Sequence, residues 1–486
     1  MPLTPASSSN LREPLKDTSR QLDRAFNPRT VAVVGDKMTL GYMWLRSLAN
    51  FHGKVYSVQI DEREFSGIAS LGVENYPSLL DIPDDIDYVL IAVPNTTTPQ
   101  VLSDCIQKNV GGVTLFTAGF AESGTEEGVA MQESIAEIAR KGNLHLIGPN
   151  CMGIHNPRIG LCHNPSQPHG DGGNASFIAQ SGTHATFLTL VAPVNGVRVS
   201  KSVSYGNAAV LDSTDYLEYF GDDDETEIIG IYIEGIKDGQ RLLRTLRDVT
   251  RHKPVLIWKG GLAEDGKRAT ASHTSSLAGS LHVWDALIRQ GGAIRVDGLD
   301  DMIDTMKVLL HAKPTTGNRV GLAAMTGGQS VFITDAFTSA GFNVPLLTEQ
   351  SYRKFRAFFN TLGASYRNPL DVSFNFQKPD RIIKSLDILS QDDNIDAVVL
   401  EVTVPFLKDL ESLIPNLFDD LIQELAQFKA RCPKPFIAVA IPGYTEAAAL
   451  DVKRRLVERD IPSFPSFQRG ANALRKAIEY WQRQTD

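Results

Sequence analysis

Three times along this 486-residue chain a short apolar run ends in a glycine-bearing turn and gives way to helical spacing. The first run is Thr30-Val31-Ala32-Val33-Val34-Gly35. The second is Ala175-Ser176-Phe177-Ile178-Ala179, entering Gln180-Ser181-Gly182-Thr183. The third is Val320-Gly321-Leu322-Ala323-Ala324, entering Thr326-Gly327-Gly328-Gln329. Unbroken apolar runs of this length are strands buried on both faces, and such strands belong to parallel sheets covered by helices. Further apolar runs at 54–59, 87–93, 112–116 and 145–147 alternate with helical spacing at 99–108 and 126–140. This alternation predicts a doubly wound α/β sheet, a class that carries its chemistry on the loops outside the carboxyl ends of the strands.

The chain is too long for one core. Residues 1–22 read as a polar, loosely ordered arm and 23–164 as the first unit. Residues 165–174, rich in Pro, Gly and His, read as a linker. The second unit is placed at 175–313, and after the break Pro314-Thr315-Thr316-Gly317 the third runs over 317–486 with a closing helix at 469–481. A net charge of -9 with no basic stripe argues against nucleic acid. The absence of any apolar run of about 20 residues argues against a membrane partner. The four cysteines form no CxxC pair, which fits a reduced cytoplasm, and no cluster has the ligand spacing of a dedicated metal site.

Chemistry is expected in the second unit. The run Lys253 to Gly261 reads as a buried strand ending in glycines, and Leu281–Gln290 has helical spacing. Between them lies Ala271-Ser272-His273-Thr274-Ser275-Ser276-Leu277-Ala278-Gly279. A neutral imidazole there is a nucleophile able to accept a phosphoryl group. The turns at 181–183 and 326–328 present unpaired backbone N–H groups at the positive end of a helix dipole, which suits an anion.

Several segments together resemble the NDP-forming acyl-CoA synthetases of the succinyl-CoA synthetase superfamily. They are Ile147 to Gly153, Ser204-Tyr205-Gly206-Asn207, Ile233 to Gly239, the His273 loop and Asn368-Pro369-Leu370-Asp371, in the family's order over nearly the whole chain. The resemblance implies a Rossmann-like CoA-binding domain followed by two flavodoxin-like ligase domains. It implies that His273 is the phosphorylated residue and that Glu234 orients it. It also implies that Ser181, Gly182, Thr183, Gly327 and Gly328 hold the phosphoryl group. Coenzyme A would meet Gly35, Lys37 and Gly41, then Val93 and Pro94, then Ala118, Gly119 and Phe120, and Asn150. Asp36 would set a negative charge beside the pyrophosphate.

The family's ATP-grasp module, which carries ATP or GTP with Mg2+, has no counterpart in this chain, which also lacks a GxxxxGK[ST] loop. An α subunit that pairs with an ATP-grasp β subunit in a hetero-oligomer is therefore expected. It would make acyl-CoA from a small carboxylic acid through an acyl phosphate and a phosphohistidine. A non-catalytic CoA-binding module that keeps the ligase fold is the alternative; retention of both His273 and Glu234 argues against it. A dehydrogenase reading fails because Val33-Val34-Gly35-Asp36-Lys37 is not a GxGxxG turn.

Overall fold

The computed structural model describes residues 15–262, 265–266 and 280–485. It contains three sheets. The first is wholly parallel and orders its strands β3-β2-β1-β4-β5-β6, from β1 (Thr30–Val34), β2 (Lys54–Val58), β3 (Glu74–Tyr76), β4 (Tyr88–Ile91), β5 (Gly112–Leu115) and β6 (Leu146–Ile147). The second has the order β12-β11-β10-β8-β9-β7. Its members are β7 (Gly153–His155), β8 (Ala175–Ala179), β9 (Val199–Ser204), β10 (Ile228–Ile233), β11 (Val255–Lys259) and β12 (Ile294–Val296). The third has the order β14-β13-β15-β16-β17, from β13 (Val320–Ala324), β14 (Leu370–Asp371), β15 (Ala397–Thr403), β16 (Phe436–Ile441) and β17 (Ser463–Phe464).

In each sheet the chain leaves one strand towards one edge and later returns to its other side. These reversals lie between β1 and β4, between β8 and β10, and between β13 and β15. Such points leave a crevice at the strand ends, since the two flanking helices depart in opposite directions. All three glycine turns read from the sequence sit at these reversals. The apolar runs behind them are buried throughout, as both helical layers require.

Two expectations are corrected. The polar arm does not extend to residue 22: a helix spans Thr18–Phe26, and its Leu22, Ala25 and Phe26 are fully buried. Phe26 stacks on Tyr219 at 4.8 Å, so this helix binds the first unit to the second. Three apolar positions on one face of an otherwise polar stretch supply the reason. The first unit also does not keep all residues up to 164. β7 pairs antiparallel with β9, Ile154 opposite Val203, and so forms an edge of the second sheet. The 165–174 linker is anchored at one buried residue. Gln167 is buried and receives the N–H groups of His163 and Asn164 at 3.0 and 3.1 Å, while its own amide reaches Thr189 at 2.8 Å.

The third unit is fastened to the second by charge and hydrogen bonds. Lys307, buried in the helix Leu299–His311, donates to the carbonyl of Ser463 at 2.7 Å. Arg469 of the closing helix Phe467–Arg483 bonds Asp304 at 2.5 Å and Asp300 at 3.0 Å.

Burial pushes three histidines down: His145 and His155 to about 4 and His163 to about 3, the last also opposed by His155. Unfolded histidine titrates near 6.5, so below that pH the unfolded chain binds protons that the folded chain refuses. Stability carried by these neutral rings is complete above about pH 6.5 and is lost as pH falls towards 4. Thermal melts should therefore show a midpoint falling steadily from pH 7 to 5, as stability drops by on the order of 1–2 kcal/mol per histidine. A flat profile over that range would show that these rings are not buried neutral.

Candidate active site

The centre of the second sheet places an acid opposite a helix start. β8 runs into Ser181, which caps the helix Gly182–Val191 by accepting the N–H of His184 at 3.4 Å. β10 ends at Ile233, and the register that pairs Tyr232 with Ala179 brings Glu234 opposite Ser181. Glu234 is buried, and the Tyr232 hydroxyl donates to its Oε1 at 3.0 Å. Strand alternation puts Tyr232 and Glu234 on one face. Behind them the His184 ring packs on Tyr232 and Trp258, with centroids 4.3 and 4.5 Å away. Lys259 donates to the Glu234 carbonyl at 2.8 Å.

Gln180 holds this arrangement together. Its side-chain oxygen accepts the N–H groups of Glu234 at 2.8 Å and Gly235 at 3.2 Å. Its backbone N–H donates to Tyr232 O at 3.0 Å, and its carbonyl receives Gly206 N–H at 3.1 Å. The 204–207 loop thereby closes on the first unit: Asn207 N–H donates to Pro149 O at 3.0 Å and Ala209 N–H to Gly148 O at 2.8 Å. A cleft of about 370 Å³ opens at this junction, with Phe116 and Asn150 from one side and Ser181, Gly182, Thr183 and Gly206 from the other. The size suits part of a cofactor-sized ligand.

The structure thus brings Asn150 together with Ser181, Gly182 and Thr183. It does not bring Gly35, Lys37, Gly41, Val93, Pro94 or Gly119 into the walls of that cleft. Gly35 and Val93 do meet at the first sheet's own reversal. Gly35 has φ 87°, and a Cβ there would stand 2.5 Å from Val93 Cγ1. Gly41, with φ 64°, ends the short turn Met38–Leu40, while Lys37 is half-buried and Pro94 and Ala118 are exposed. Gly327 and Gly328 open the helix Gly327–Ser339 in the third unit, capped by Thr326, whose hydroxyl accepts Gln329 N–H at 3.3 Å. His273 lies outside the described residues.

Two expectations for the CoA loops change. Phe120 is fully buried in the first unit's core and offers no face to a ligand. Asp36 does not face outward: it is buried, and its carboxylate accepts the N–H groups of Lys37 at 3.0 Å and Leu45 at 2.9 Å. Burial raises its pKa against those hydrogen bonds. Glu64 adds a second tie, accepting from Met38 N–H at 2.9 Å and the Tyr42 hydroxyl at 2.8 Å. The amides at 37 and 38 therefore already have partners. Glu122 plays the same part at the neighbouring turn, accepting Gly119 N–H at 2.6 Å and Phe120 N–H at 3.2 Å, and it also receives the Asn207 amide. The sequence reading missed Tyr232 and Glu122, and named Asn207 only within the 204–207 motif, with no role. For Tyr232 a signal existed, its place two residues before an acid on a buried strand.

Gly206 is a tight point of the inter-unit contact. It has φ 53°, and a Cβ would lie 2.2 Å from Pro149 O and 2.3 Å from Asn150 O. Gly206→Ala should lower the melting midpoint by several degrees, because neither backbone oxygen can yield cheaply. Gly328→Ala meets nothing within 4 Å and should leave it unchanged or slightly raised. Equal midpoints for the two variants would contradict this account of the junction.

Comparison with known proteins agrees with this architecture. Residues 29–157 match a CoA binding domain and residues 172–309 match the succinyl-CoA ligase like flavodoxin domain. The α subunit of an ADP-forming acetate–CoA ligase II of Pyrococcus furiosus is 34% identical over 447 residues, covering 91% of this chain and 94% of its own length. An ADP-forming acetate–CoA ligase I of Archaeoglobus fulgidus is 35% identical over 401 residues, 81% of this chain; the match spans only 57% of that longer protein. Among solved structures, the dinucleotide forming acetyl-coenzyme A synthetase 1 of Ca. Korarchaeum cryptofilum, in complex with phosphate and ADP, aligns with a TM-score of 0.81 at 28% identity, over 95% of this chain and 97% of that one. The chain belongs to the family of ADP-forming acyl-CoA ligase α subunits, within the succinyl-CoA synthetase superfamily.

Proposed function

We propose that the chain is the CoA-binding, phosphohistidine-carrying part of an acyl-CoA synthetase that forms ADP or GDP. The observation that carries this is Glu234 standing opposite the Ser181–Thr183 helix start, a turn that itself lines a cleft whose other wall includes Asn150. In this reading His273 attacks the terminal phosphorus of the nucleotide, whose diphosphate leaves. Glu234 accepts one ring N–H and so leaves the other nitrogen as nucleophile. The amides at 181–183, and those at 327–328 in the third unit, neutralise the phosphoryl oxygens during transfer. The phosphoryl group then passes to a carboxylic acid substrate. The CoA thiol attacks the resulting acyl phosphate at carbon, the C–O bond breaks and phosphate departs.

Coenzyme A belongs on the first unit, with its pyrophosphate near Gly35, Lys37 and Gly41 and its arm passing Val93, Pro94, Ala118 and Gly119 towards Asn150. ATP or GTP with Mg2+ belongs on an ATP-grasp module, as a separate β subunit in a hetero-oligomer or fused in a longer chain. Phe187 on the first helix, and Val331 and Phe332 on the second, are half or more exposed and support docking of that module beside both helix starts. No helix among the described residues is long and apolar enough to cross a membrane. A cytoplasmic setting fits four buried free thiols.

Incubation with radiolabelled ATP and an ATP-grasp module should place acid-labile, base-stable label on the peptide containing His273, and omission of that module should abolish it. His273→Ala should give no label, and Glu234→Gln should slow labelling by about 10–100-fold with the fold intact. Full acyl-CoA synthesis by His273→Ala would overturn the reading and favour a non-catalytic CoA-binding role.

Calorimetry with CoA on the full chain should give saturable heat, weakened several-fold by Lys37→Ala through loss of a phosphate contact. No heat at millimolar CoA would remove CoA from the first unit.

A further inference from the structure

The third sheet carries a buried acid with no part in the proposed reaction. Glu401 lies on β15, fully buried, with Val439 of β16 beside it. Met325 N–H donates to its Oε2 at 2.7 Å, and the Thr403 hydroxyl lies 2.5 Å from its Oε1. Met325 immediately precedes Thr326, the cap of the helix Gly327–Ser339. The register pairs Ala323 with Leu400, and beyond it the Thr403 N–H donates to Met325 Sδ at 3.0 Å, which sets Thr403 beside the residue preceding the cap.

The second and third units thus share one plan with two groups exchanged. In the second, the strand across the reversal carries an acid opposite the helix cap, Glu234, and a hydroxyl two residues earlier, Tyr232. In the third, the hydroxyl-bearing Thr403 stands beside the residue preceding the cap, and the acid, Glu401, lies two residues earlier. An acid opposite the cap can orient a histidine. An acid one step beneath is shut away from substrate and can act only through its neighbours.

Those neighbours allow two hydrogen-bond states. The Met325 amide is always a donor, so Oε2 is always an acceptor. With Glu401 ionised, Thr403 must donate to Oε1. With Glu401 protonated, Oε1–H donates to Thr403 Oγ1, and the threonine hydrogen is released. Resting on the phosphate reading of the 326–328 turn, we propose that Glu401 is a positioning residue whose proton switches Thr403 into a donor for an anion seated there. Ionised, Glu401 withdraws that donor and sets a negative charge beneath the turn.

The surroundings leave this switch uncontested. β13 presents Ala323, Ala324 and Met325, and β16 presents Val439, Ala440 and Ile441. The helix Pro379–Gln391 turns Ile382, Leu386 and Leu389 inward, with Asp380 and Lys384 exposed and Arg381 and Asp387 half-buried. In the helix after β15, Val404–Glu411, the first charge is Lys408. In Gly327–Ser339 the first is Asp335. The other acid at the turn is Asp371, whose Oδ2 lies 3.0 Å from where a Gly327 Cβ would stand. Among the described residues no cation stands against it, and burial lifts Glu401 to about 7, so both states are populated near neutrality.

Sulfate, a tetrahedral dianion that does not titrate near neutrality, tests this on the full chain by calorimetry from pH 6 to 8.5. The contribution removed by Gly328→Asp reports the third-unit turn. That contribution should weaken up to tenfold per pH unit above 7, with uptake of up to one proton measured in buffers of differing ionisation enthalpy. In Glu401→Gln it should be pH-independent with no proton taken up. In Thr403→Val it should be several-fold weaker at low pH. Wild-type binding at this turn, isolated by its loss in a folded Gly328→Asp, without proton uptake would overturn the role of Glu401 alone. Sulfate binding equal in wild type and Gly328→Asp would instead overturn the anion seat itself, and the switch with it.

Discussion

The side chain and backbone of Gln180 are what the remainder of the site depends on. One residue joins the ends of β8 and β10 and receives the loop that reaches the first unit. Its amide oxygen fixes the backbone on which Glu234 rides, and its own position sets where the Ser181 helix begins. A glutamine suits this because its oxygen can accept two N–H groups while adding no charge beside the Glu234 carboxylate. An acid here would repel Glu234, and an apolar residue would leave two buried amides without partners.

The same economy of charge separates the two ligase units. In the second, the carboxylate stands at the strand end, opposite the helix cap. In the third it is withdrawn, with a threonine in front. Two units built alike, with strand, hydroxyl cap and helix start in the same order, thus differ in the order of two side chains on one strand.

Much of this was legible in the sequence because burial on both faces leaves a plain mark. The runs 30–34, 175–179 and 320–324 are apolar without interruption, and each was read as a strand entering a glycine turn, as the structure has it. The helix Leu281–Gln290 matches its reading residue for residue. Glu234 came from resemblance, since a lone acid after a strand carries no mark of its own. The direction of a side chain was not legible. Asp36 turns inward because Leu45, nine residues on, brings an N–H to meet it, and a linear reading does not contain that approach. β7 was missed because three residues paired to a strand nearly fifty positions away show no period. Phe120 reads equally well as a ligand contact or as core, and only packing decides. Glu401, an acid within Val398-Val399-Leu400-Glu401-Val402, was conspicuous and was passed over.

Glu122, with its oxygen on the amides of Gly119 and Phe120, is a ligand already attached to its receptor. Being tethered, it competes with any incoming anion at an effective concentration of roughly millimolar or more, whatever the solution contains. A singly charged ion with no other contacts loses that competition. An anion coming to this turn would therefore have to displace a carboxylate that the chain itself supplies, and only contacts made beyond the turn could offset that loss.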